Sequence, residues 1–328
     1  MLEYQIKWYD DVDFEKWDEF IQGQSINGTL LQTRKFLSYH PSERFRDRSV
    51  VVINKGAIVA VCPACELSEN GNKIFLSHGG STYGGLIVSP SICQMEKIYQ
   101  LIKTVESFLR DFGFSKIIYK QTPDLLSLSK NDLLDFCLKY AGYDEKQELN
   151  LYIDFEHYSE EIIRNFDQGR RRWIKKCINR GMELKELRTK DELNVFHNVL
   201  TDNLKKYGKS PVHTVEELLM LRDILKDEVK FWGVNFDGRI VAGAMVFYFN
   251  KVRCMHTHYL AADSKFDEYS PMSYLYYSMI DHATKQGYRS VSWGIITDHD
   301  GNMNWNLCRT KESYGSRHAI NRIYEKFL

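Results

Sequence analysis

The same order of α/β elements occurs twice along this sequence. In each half, two strands joined by a tight turn precede another strand, then a helix that starts at a Ser-Pro pair and ends at glycine, and then a further strand. The turns lie at Asn54-Lys55-Gly56 and Asp237-Gly238, and the helices start at Ser89-Pro90 and Ser270-Pro271. A duplicated unit predicts two similar domains with a ligand pocket in the cleft between them.

The length of 328 residues is also typical of two domains, at roughly 150 residues each. We predict an N-terminal domain at 1–155 and a C-terminal domain at 156–328, with a basic linking helix at 160–180. The pattern of short apolar runs and amphipathic stretches predicts an α/β (α+β) fold. Each domain is expected to contain a mixed, mostly antiparallel sheet flanked by helices.

The charge balance gives no indication of a DNA-binding protein. Lys+Arg and Asp+Glu are both 44, so the formal net charge is zero. The 7 cysteines are scattered, as a reducing compartment allows. The start of the chain, 1–4, lacks the features of a signal peptide, and the longest apolar run, 240–249, is too short to span a bilayer. We therefore expect a cytoplasmic protein without a transmembrane segment.

The element order in each half is strand, two helices, three antiparallel strands, helix, strand, helix and strand, which resembles the GNAT acyltransferase fold. A tandem pair with a basic helical joint resembles the FemABX family of peptidoglycan-type aminoacyltransferases and the related acetyltransferase-like proteins of cell-surface polysaccharide pathways. The most specific stretch is 263–315, which ends in Arg309-Thr310-Lys311-Glu312-Ser313-Tyr314-Gly315 and is similar to the Lys-aromatic-Gly element closing the family's second domain. The coiled-coil arm of some members and the Gln/Arg-x-x-Gly-x-Gly/Ala loop of single-domain acetyltransferases are absent.

This resemblance implies an N-acyltransferase that moves an acyl or aminoacyl group to an amine of a cell-envelope or polysaccharide precursor. The donor would be acyl-CoA or aminoacyl-tRNA, used as a co-substrate without any tightly bound cofactor. The expected partner is a small-molecule, glycan or peptide precursor, while tRNA binding and a peripheral membrane contact stay open. The competing hypothesis is a catalytically silent protein that binds a nucleotide-sugar or a peptide, because the pyrophosphate loop is missing.

Three residues are candidates for catalysis. Lys311 lies in a short predicted helix from which its ammonium could stabilise the oxyanion of acyl transfer, although a solvated surface lysine is the alternative. His256 and His258 are two apart on a predicted strand and therefore share one face. Either imidazole could accept a proton from the attacking amine, or both could simply form a polar wall.

The helix start at Ser270-Pro271 is the candidate site for the donor. Serine suits the N-cap and proline the first helical position, and the free N–H groups there can hold an anion such as a pyrophosphate. Lys265 and Tyr269 lie just upstream and Ser273 lies in the first turn, so we assign all of them to donor binding. The alternative is that Ser-Pro is only a favourable helix start.

Substrate contacts are predicted at three further places. The glycine-rich loop 79–85 lets the backbone approach a ligand closely, which selects Gly79, Gly80 and Tyr83. Arg171 and Arg172 belong to the one strong basic cluster and would contact phosphate, unless they lie on a solvated helix face. Trp293 precedes the predicted closing element and Tyr314 lies within it, and both are assigned to substrate binding. In the resembling family the first-domain glycine loop lines the acceptor pocket.

No metal site is predicted. Cys62 and Cys65 have zinc-like spacing, but no second pair follows them, and the two strand histidines lack a third ligand. The loop Asp298-His299-Asp300 carries titratable groups near the expected cleft, but its composition is more typical of a turn.

Overall fold

The computed structural model describes residues 4–11, 13–41, 43–298 and 301–328. Contacts divide the chain into two compact units. The first unit contains 1–148 together with 320–328, and the second contains 149–319. His299 and Asp300 of the acidic loop lie outside the described residues, and Asp298 accepts from the backbone N–H of Asn302 at 2.9 Å.

The strands are β1 (Gln5–Trp8), β2 (Val50–Asn54), β3 (Ala57–Cys62), β4 (Ala64–Glu69), β5 (Asn72–Ser77), β6 (Ile87–Val88), β7 (Phe114–Lys120), β8 (Asp144–Asp154), β9 (Glu183–Glu186), β10 (Val229–Phe236), β11 (Arg239–Phe249), β12 (Cys254–Ala262), β13 (Ser290–Ile295) and β14 (Arg317–Phe327). The α-helices are α1 (Phe14–Glu19), α2 (Arg34–Leu37), α3 (Met95–Asp111), α4 (Asp132–Tyr140), α5 (Gln168–Asn179), α6 (Lys190–Lys205), α7 (Val215–Leu225), α8 (Pro271–Lys285) and α9 (Trp305–Glu312).

The first unit contains two sets of paired strands. One has the order β1-β2-β3-β6, and the other contains β4-β5-β7-β14. The Val- and Ile-rich pattern of residues 57–67 predicts one continuous strand after the Asn54-Lys55-Gly56 turn, and this prediction is wrong. Pro63 separates β3 from β4, because proline has no N–H to donate to a ladder, and the two strands join different sheets. Apolar residues at helical spacing between Ile98 and Leu109 predict an amphipathic helix, and α3 buries this stripe against the unit's core.

The second unit is built on one sheet of order β8-β13-β12-β11-β10-β9, in which 149–154 represent β8. The β10–β11 turn at Asp237 and Gly238 has φ values of 51° and 74°, the left-handed pair that a tight hairpin requires. Helix α6 packs on β11 and β12, and α8 packs on β11, β12 and β13. The predicted fold class of mixed, mostly antiparallel sheets flanked by helices is confirmed.

Element boundaries follow the sequence pattern closely in the second unit, where apolar patterning predicts a helix at 215–225 and strands at 229–236 and 239–249, which are the bounds of α7, β10 and β11. The basic helix is the exception. A 3-10 helix at Ile162–Asn165 is followed by the buried, extended Phe166, and α5 begins only at Gln168. The domain division at 155/156 stays a prediction, and the contact-based units differ from it because β14 pairs with β7 from Ile323 to Phe327.

No helix among the described residues has both the length and the apolar character that a membrane crossing requires.

Close packing between α6 and β11 depends on the absence of a side chain at Gly243. A Cβ there would lie 2.4 Å from Cδ2 of the fully buried Phe196. We expect Gly243→Ala to lower the free energy of unfolding by about 1–3 kcal/mol, the usual cost of overpacking. Urea unfolding measures it, with Gly169→Ala as the control, because no atom lies within 4 Å of a Cβ at Gly169. Equal stability of the two variants would contradict this packing.

Candidate active site

The parallel strands β12 and β13 part after a short stretch of pairing. Their register contains Cys254–Ser290, Met255–Val291 and His256–Ser292 and then stops. Strand β12 continues to Ala262 along β11, and among the described residues no strand covers its other edge beyond His256. Backbone N–H and C=O groups on that edge are therefore available to a ligand that contains amide groups, as in strand addition.

A β-bulge marks the same point of β12. Thr257 pairs with Val246 and Tyr259 with Met245, so His258 is the additional residue on the bulged strand. A bulge bends its strand and redirects side chains, and such irregularities are common beside active sites. The opening between β12 and β13 thus coincides with a bulge that bends β12.

His256 is the histidine positioned at this opening. Its Nδ1 lies 3.0 Å from Oγ of Ser292, and the imidazole is 4% exposed. Oγ of Ser292 lies 3.2 Å from Nδ2 and 3.3 Å from Oδ1 of Asn150. In the tautomer in which Nδ1–H donates to Ser292, the serine hydroxyl donates to Oδ1 of Asn150 and Nε2 keeps a free lone pair. A base oriented by a second group in this way can accept a proton from a nucleophile.

Burial keeps His256 neutral. Desolvation, with a smaller contribution from the Lys311 ammonium, lowers the pKa of His256 to about 4. His256 is therefore able to accept a proton at neutral pH, although its basicity is low.

His258 lies in a different environment from His256. Its ring centroid is 5.3 Å from Phe247, 4.5 Å from Tyr259 and 5.7 Å from His213. Burial and then the neighbouring His213 lower the pKa of His258 to about 3. Nδ1 of His213 is in turn 2.8 Å from the Tyr259 hydroxyl. These contacts favour a packing role for His258, in contrast to the oriented His256.

Lys311 is buried and fixed by backbone carbonyls. Its Nζ donates to the carbonyl oxygens of Trp293, Gly294 and Ile295 at 2.8, 3.0 and 3.1 Å. The side chain is 3% exposed, and burial lowers the pKa of Lys311 to about 7. An ammonium has three donors, and all of them are used here. Lys311 therefore holds the end of β13 in place, and the predicted contact with an oxyanion would require it to give up one of these carbonyls.

Trp293 and Tyr314, predicted to contact substrate, are packed in the core of the second unit. The ring of Tyr276 stacks on Tyr314 at 4.6 Å and meets Trp293 edge-on at 4.8 Å. Nε1 of Trp293 donates to Oγ of Ser316 at 3.0 Å. Both residues are at most 3% exposed, which favours a structural role.

The predicted donor residues surround the start of α8. Ser270 precedes the helix in the left-handed conformation, with φ of 57°, and its side chain makes no cap hydrogen bond. Ser273, in the first turn, accepts from Nη1 of Arg170 at 3.1 Å. Tyr269 lies below the guanidinium of Arg180 at 4.9 Å, and Lys265 is exposed in the preceding 3-10 helix. Pro271 has no N–H, and the N–H of Ser273 donates to the carbonyl of Ser270 at 3.0 Å, so it is the helix dipole and the nearby cationic side chains that suit an anion here.

The arginines of the basic cluster on α5 have different environments. Arg170 points inward to Ser273 and Ser313, whereas Arg171 donates to the carbonyl oxygens of Phe166 and Arg164. Arg172 is exposed. The structure thus brings Arg170, a member of the predicted basic cluster, to the donor region, while Arg171 secures the turn before α5.

The glycine-rich loop of the first unit has a packing role that the sequence did not predict. A Cβ at Gly80 would lie 2.0 Å from Nε2 of His40, and one at Gly79 would lie 2.9 Å from Cε1 of Phe45. Tyr83 is 5% exposed. The backbone of this loop therefore has to be glycine to approach its neighbours closely, but these neighbours are side chains of the protein and not a ligand.

His40 and Phe45 line a pocket of about 320 Å³ within the first unit. Arg34 lies at its wall, 5% exposed, ion-paired with Asp47 and placed 3.4 Å from the centre of the Tyr9 ring. Sequence reasoning missed this pocket, because its polar residues come from separate segments without recognisable spacing. The buried ion pair and aromatic walls suit a small polar ligand.

Comparison with known proteins agrees with the fold of the chain. Residues 168–305 match the model of the acetyltransferase (GNAT) domain, which covers less than half of the chain. No curated protein matches by sequence. The fold is similar to that of FemX, with a TM-score of 0.73 and 13% identity over 100% of this chain and 98% of that chain.

Two further solved structures share the fold. L-PGS from Bacillus licheniformis has a TM-score of 0.61 and 12% identity over 95% of this chain and 91% of that chain. A tandem GNAT protein from the clavulanic acid biosynthesis pathway has a TM-score of 0.58 and 8% identity over 99% of this chain and 98% of that chain. The predicted GNAT and FemABX resemblance is confirmed at the level of the fold, and residues 168–305 of the second unit match the GNAT acetyltransferase domain model.

We expect Lys311→Met to destabilise the protein. The variant leaves the carbonyl groups of Trp293, Gly294 and Ile295 without their donor, at a cost of about 1–3 kcal/mol for a buried unsatisfied group. Thermal unfolding measures this loss. Arg309→Met is the control on the same helix, because Arg309 is exposed and bonds only locally, to Asn306. If both variants melt at the same temperature, Lys311 does not hold β13.

The low pKa of His256 predicts an acid dependence of stability. Because the pKa is about 4 in the folded state and about 6.5 in the unfolded state, the unfolded state binds more protons between these values. This residue's contribution is present above pH 6.5 and is lost as the pH falls to 4, by about 3 kcal/mol. Urea unfolding of wild type and His256→Asn should therefore show a stability gap that shrinks on acidification. A stability difference between the two proteins that does not change with pH would contradict the low pKa of His256.

Proposed function

We propose that the GNAT domain makes this protein an N-acyltransferase that uses acyl-CoA and acylates an amine at the opening between β12 and β13. The proposal depends on one observation above all. His256, oriented through Ser292, lies where β12 loses its strand partner. An oriented base beside unpaired backbone groups is the arrangement that acyl transfer to an amine requires.

The donor fits the second unit by its chemistry. The pantetheine arm of CoA contains amide groups, which can pair with the free edge of β12. Its diphosphate suits the start of α8, where Ser270 leaves the helix without a side-chain cap. Arg170, which donates to Ser273, adds positive charge to the same turn. Lys265 and Tyr269 precede this turn and complete the proposed donor site.

The proposed reaction is a direct transfer. The neutral acceptor amine attacks the thioester carbonyl, and a C–N bond forms while the carbonyl oxygen becomes an oxyanion. N–H groups on the free edge of β12 stabilise this oxyanion. Nε2 of His256 takes the proton of the attacking nitrogen. The C–S bond then breaks, and the CoA thiolate leaves and is protonated.

Lys311 is a positioning residue in this proposal. Its three hydrogen bonds fix the segment Trp293 to Ile295, and Ser292, the partner of His256, directly precedes that segment. The loss of Lys311 would therefore change the orientation of His256 without removing any group that touches the substrate.

The acceptor is proposed to be an amine of a cell-envelope or polysaccharide precursor, as the family resemblance implies. The pocket of the first unit supports a ligand with a polar group, since Arg34, Asp47 and His78 line it beside aromatic rings.

Acetyl-CoA is the first probe of the donor site. Calorimetric titration should show one site per chain for both wild type and His256→Gln, because His256 acts on the amine. With acetyl-CoA and glucosamine or a glycyl peptide as acceptors, mass spectrometry should detect the acylated product. We expect His256→Gln to lower kcat by about 10²–10⁴-fold, the usual contribution of a general base. The exposed His157 provides the control His157→Gln, which should keep full turnover.

Each alternative result has a distinct meaning. A folded wild type that does not bind acetyl-CoA contradicts the donor assignment and returns attention to aminoacyl-tRNA. Binding without transfer to any amine favours the silent binding protein. Undiminished turnover of His256→Gln removes this histidine from the mechanism but leaves the transferase assignment intact.

A further inference from the structure

Helix α9 and the start of β14 bring three different metal-binding side chains together. Cys308 and Glu312 are one helical turn apart on α9, and His318 follows on β14. The thiol sulfur, a carboxylate oxygen and an imidazole nitrogen all lie within 4.8 Å of one another. Nε2 of His318 is 2.9 Å from Oε1 of Glu312. This cluster lies within the second unit and takes no part in the proposed acyl transfer.

The donor set fits zinc. Thiolate, imidazole and carboxylate are the ligands that Zn²⁺ takes in proteins, at about 2.0–2.3 Å. Donors around one tetrahedral zinc lie roughly 3.3–3.7 Å apart, so only small adjustments are needed, in which Nε2 of His318 and Oε1 of Glu312 separate from 2.9 Å. We propose that Cys308, Glu312 and His318 form a Zn²⁺ site, with a water molecule in the fourth position.

The burial of the three side chains is compatible with these movements on zinc binding. Cys308 is 6% exposed and gives the site a fixed ligand. The side chains of Glu312 and His318 are 42% and 47% exposed, so both can adjust and the fourth position faces solvent. Zinc binding displaces the thiol proton and replaces the hydrogen bond between His318 and Glu312.

A second group of metal-type ligands provides the contrast. Asp154, Glu156 and His157 also have ligand atoms within 4.8 Å of one another, but they contain no sulfur. Asp154 is already paired with Nδ1 of His157 at 2.9 Å and with Arg317 at 3.8 Å. Thiolate ligands favour zinc over the cations that prefer oxygen. Zinc should therefore select the cluster on α9.

Zinc at this site would connect α9 to β14 across the short segment 313–316. That segment includes Ser316, which accepts from Trp293 and donates to the carbonyl oxygen of Lys311 at 2.7 Å. A ligand that binds only the folded state raises its stability by mass action. Zinc binding is thus expected to raise the Tm of the intact protein.

The test uses the full chain, freed of metal by a chelator and kept reduced. Titration with Zn²⁺ against a chromophoric competitor should give one site per chain and a higher Tm. Substitution with Co²⁺ should give a thiolate-to-cobalt charge-transfer band and the visible bands of a tetrahedral site. Cys308→Ser should lose the charge-transfer band and bind zinc at least tenfold more weakly, while His157→Gln should behave as wild type.

A second variant protects the test against misfolding. His318→Gln changes an exposed side chain, and it should also weaken zinc binding if Cys308→Ser fails to fold. The proposal is overturned if wild type binds no zinc, if the cobalt form shows no thiolate band, or if His157→Gln loses the site while His318→Gln keeps it.

Discussion

The ammonium of Lys311 fixes the end of β13, and the geometry of the candidate site follows from this contact. After Ser292 the strand leaves β12, and Gly294 adopts a left-handed conformation with φ of 77°. The carbonyl groups of this segment no longer have a strand partner on that side, and buried carbonyls require donors. Lys311 supplies all three hydrogen bonds. The opening beside β12 is therefore stable because a buried lysine satisfies the backbone that forms its other wall.

Burial also determines what chemistry His256 can perform. In water an imidazole is partly protonated near neutral pH, and it would then repel an ammonium and be unable to accept a proton. The low pKa of His256 keeps the ring neutral, and Ser292 with Asn150 fixes its orientation. Low basicity is acceptable for this role, because the nitrogen becomes strongly acidic as the C–N bond forms. The site thus relies on orientation more than on basicity.

Sequence patterns predicted the elements of the second unit well, because apolar periodicity and turn residues act locally. The Asp237-Gly238 turn and the adjoining strands are examples. The site depends on contacts that no local pattern encodes. Ser292 is 36 residues from His256 and 142 residues from Asn150. Lys311 was singled out as a catalytic candidate, which stays a prediction, and its burial on three carbonyls could not be read from a short basic helix. In the first unit, the strand predicted at 57–67 did not take Pro63 into account, although proline locally interrupts a ladder.

The two copies of the repeated unit differ at the position of the opening that we propose for acyl transfer. In the first unit, β5 and β7 are also parallel and also part, after Leu76 and Ile118. There the glycine-rich loop fills the gap, since Gly84 pairs with Gln121 and donates to the carbonyl of Lys120 at 2.7 Å.

Ser77 completes this closure, because its Oγ accepts from the N–H groups of Gly85 and Lys120 at 2.8 and 2.9 Å. Only glycine fits at position 84, where a Cβ would lie 2.7 Å from Cβ of Ser77. The backbone groups that a donor would use in the first unit are thus already paired by the chain itself. A duplicated fold can in this way keep one opening for a donor and convert the other into a rigid support for a pocket.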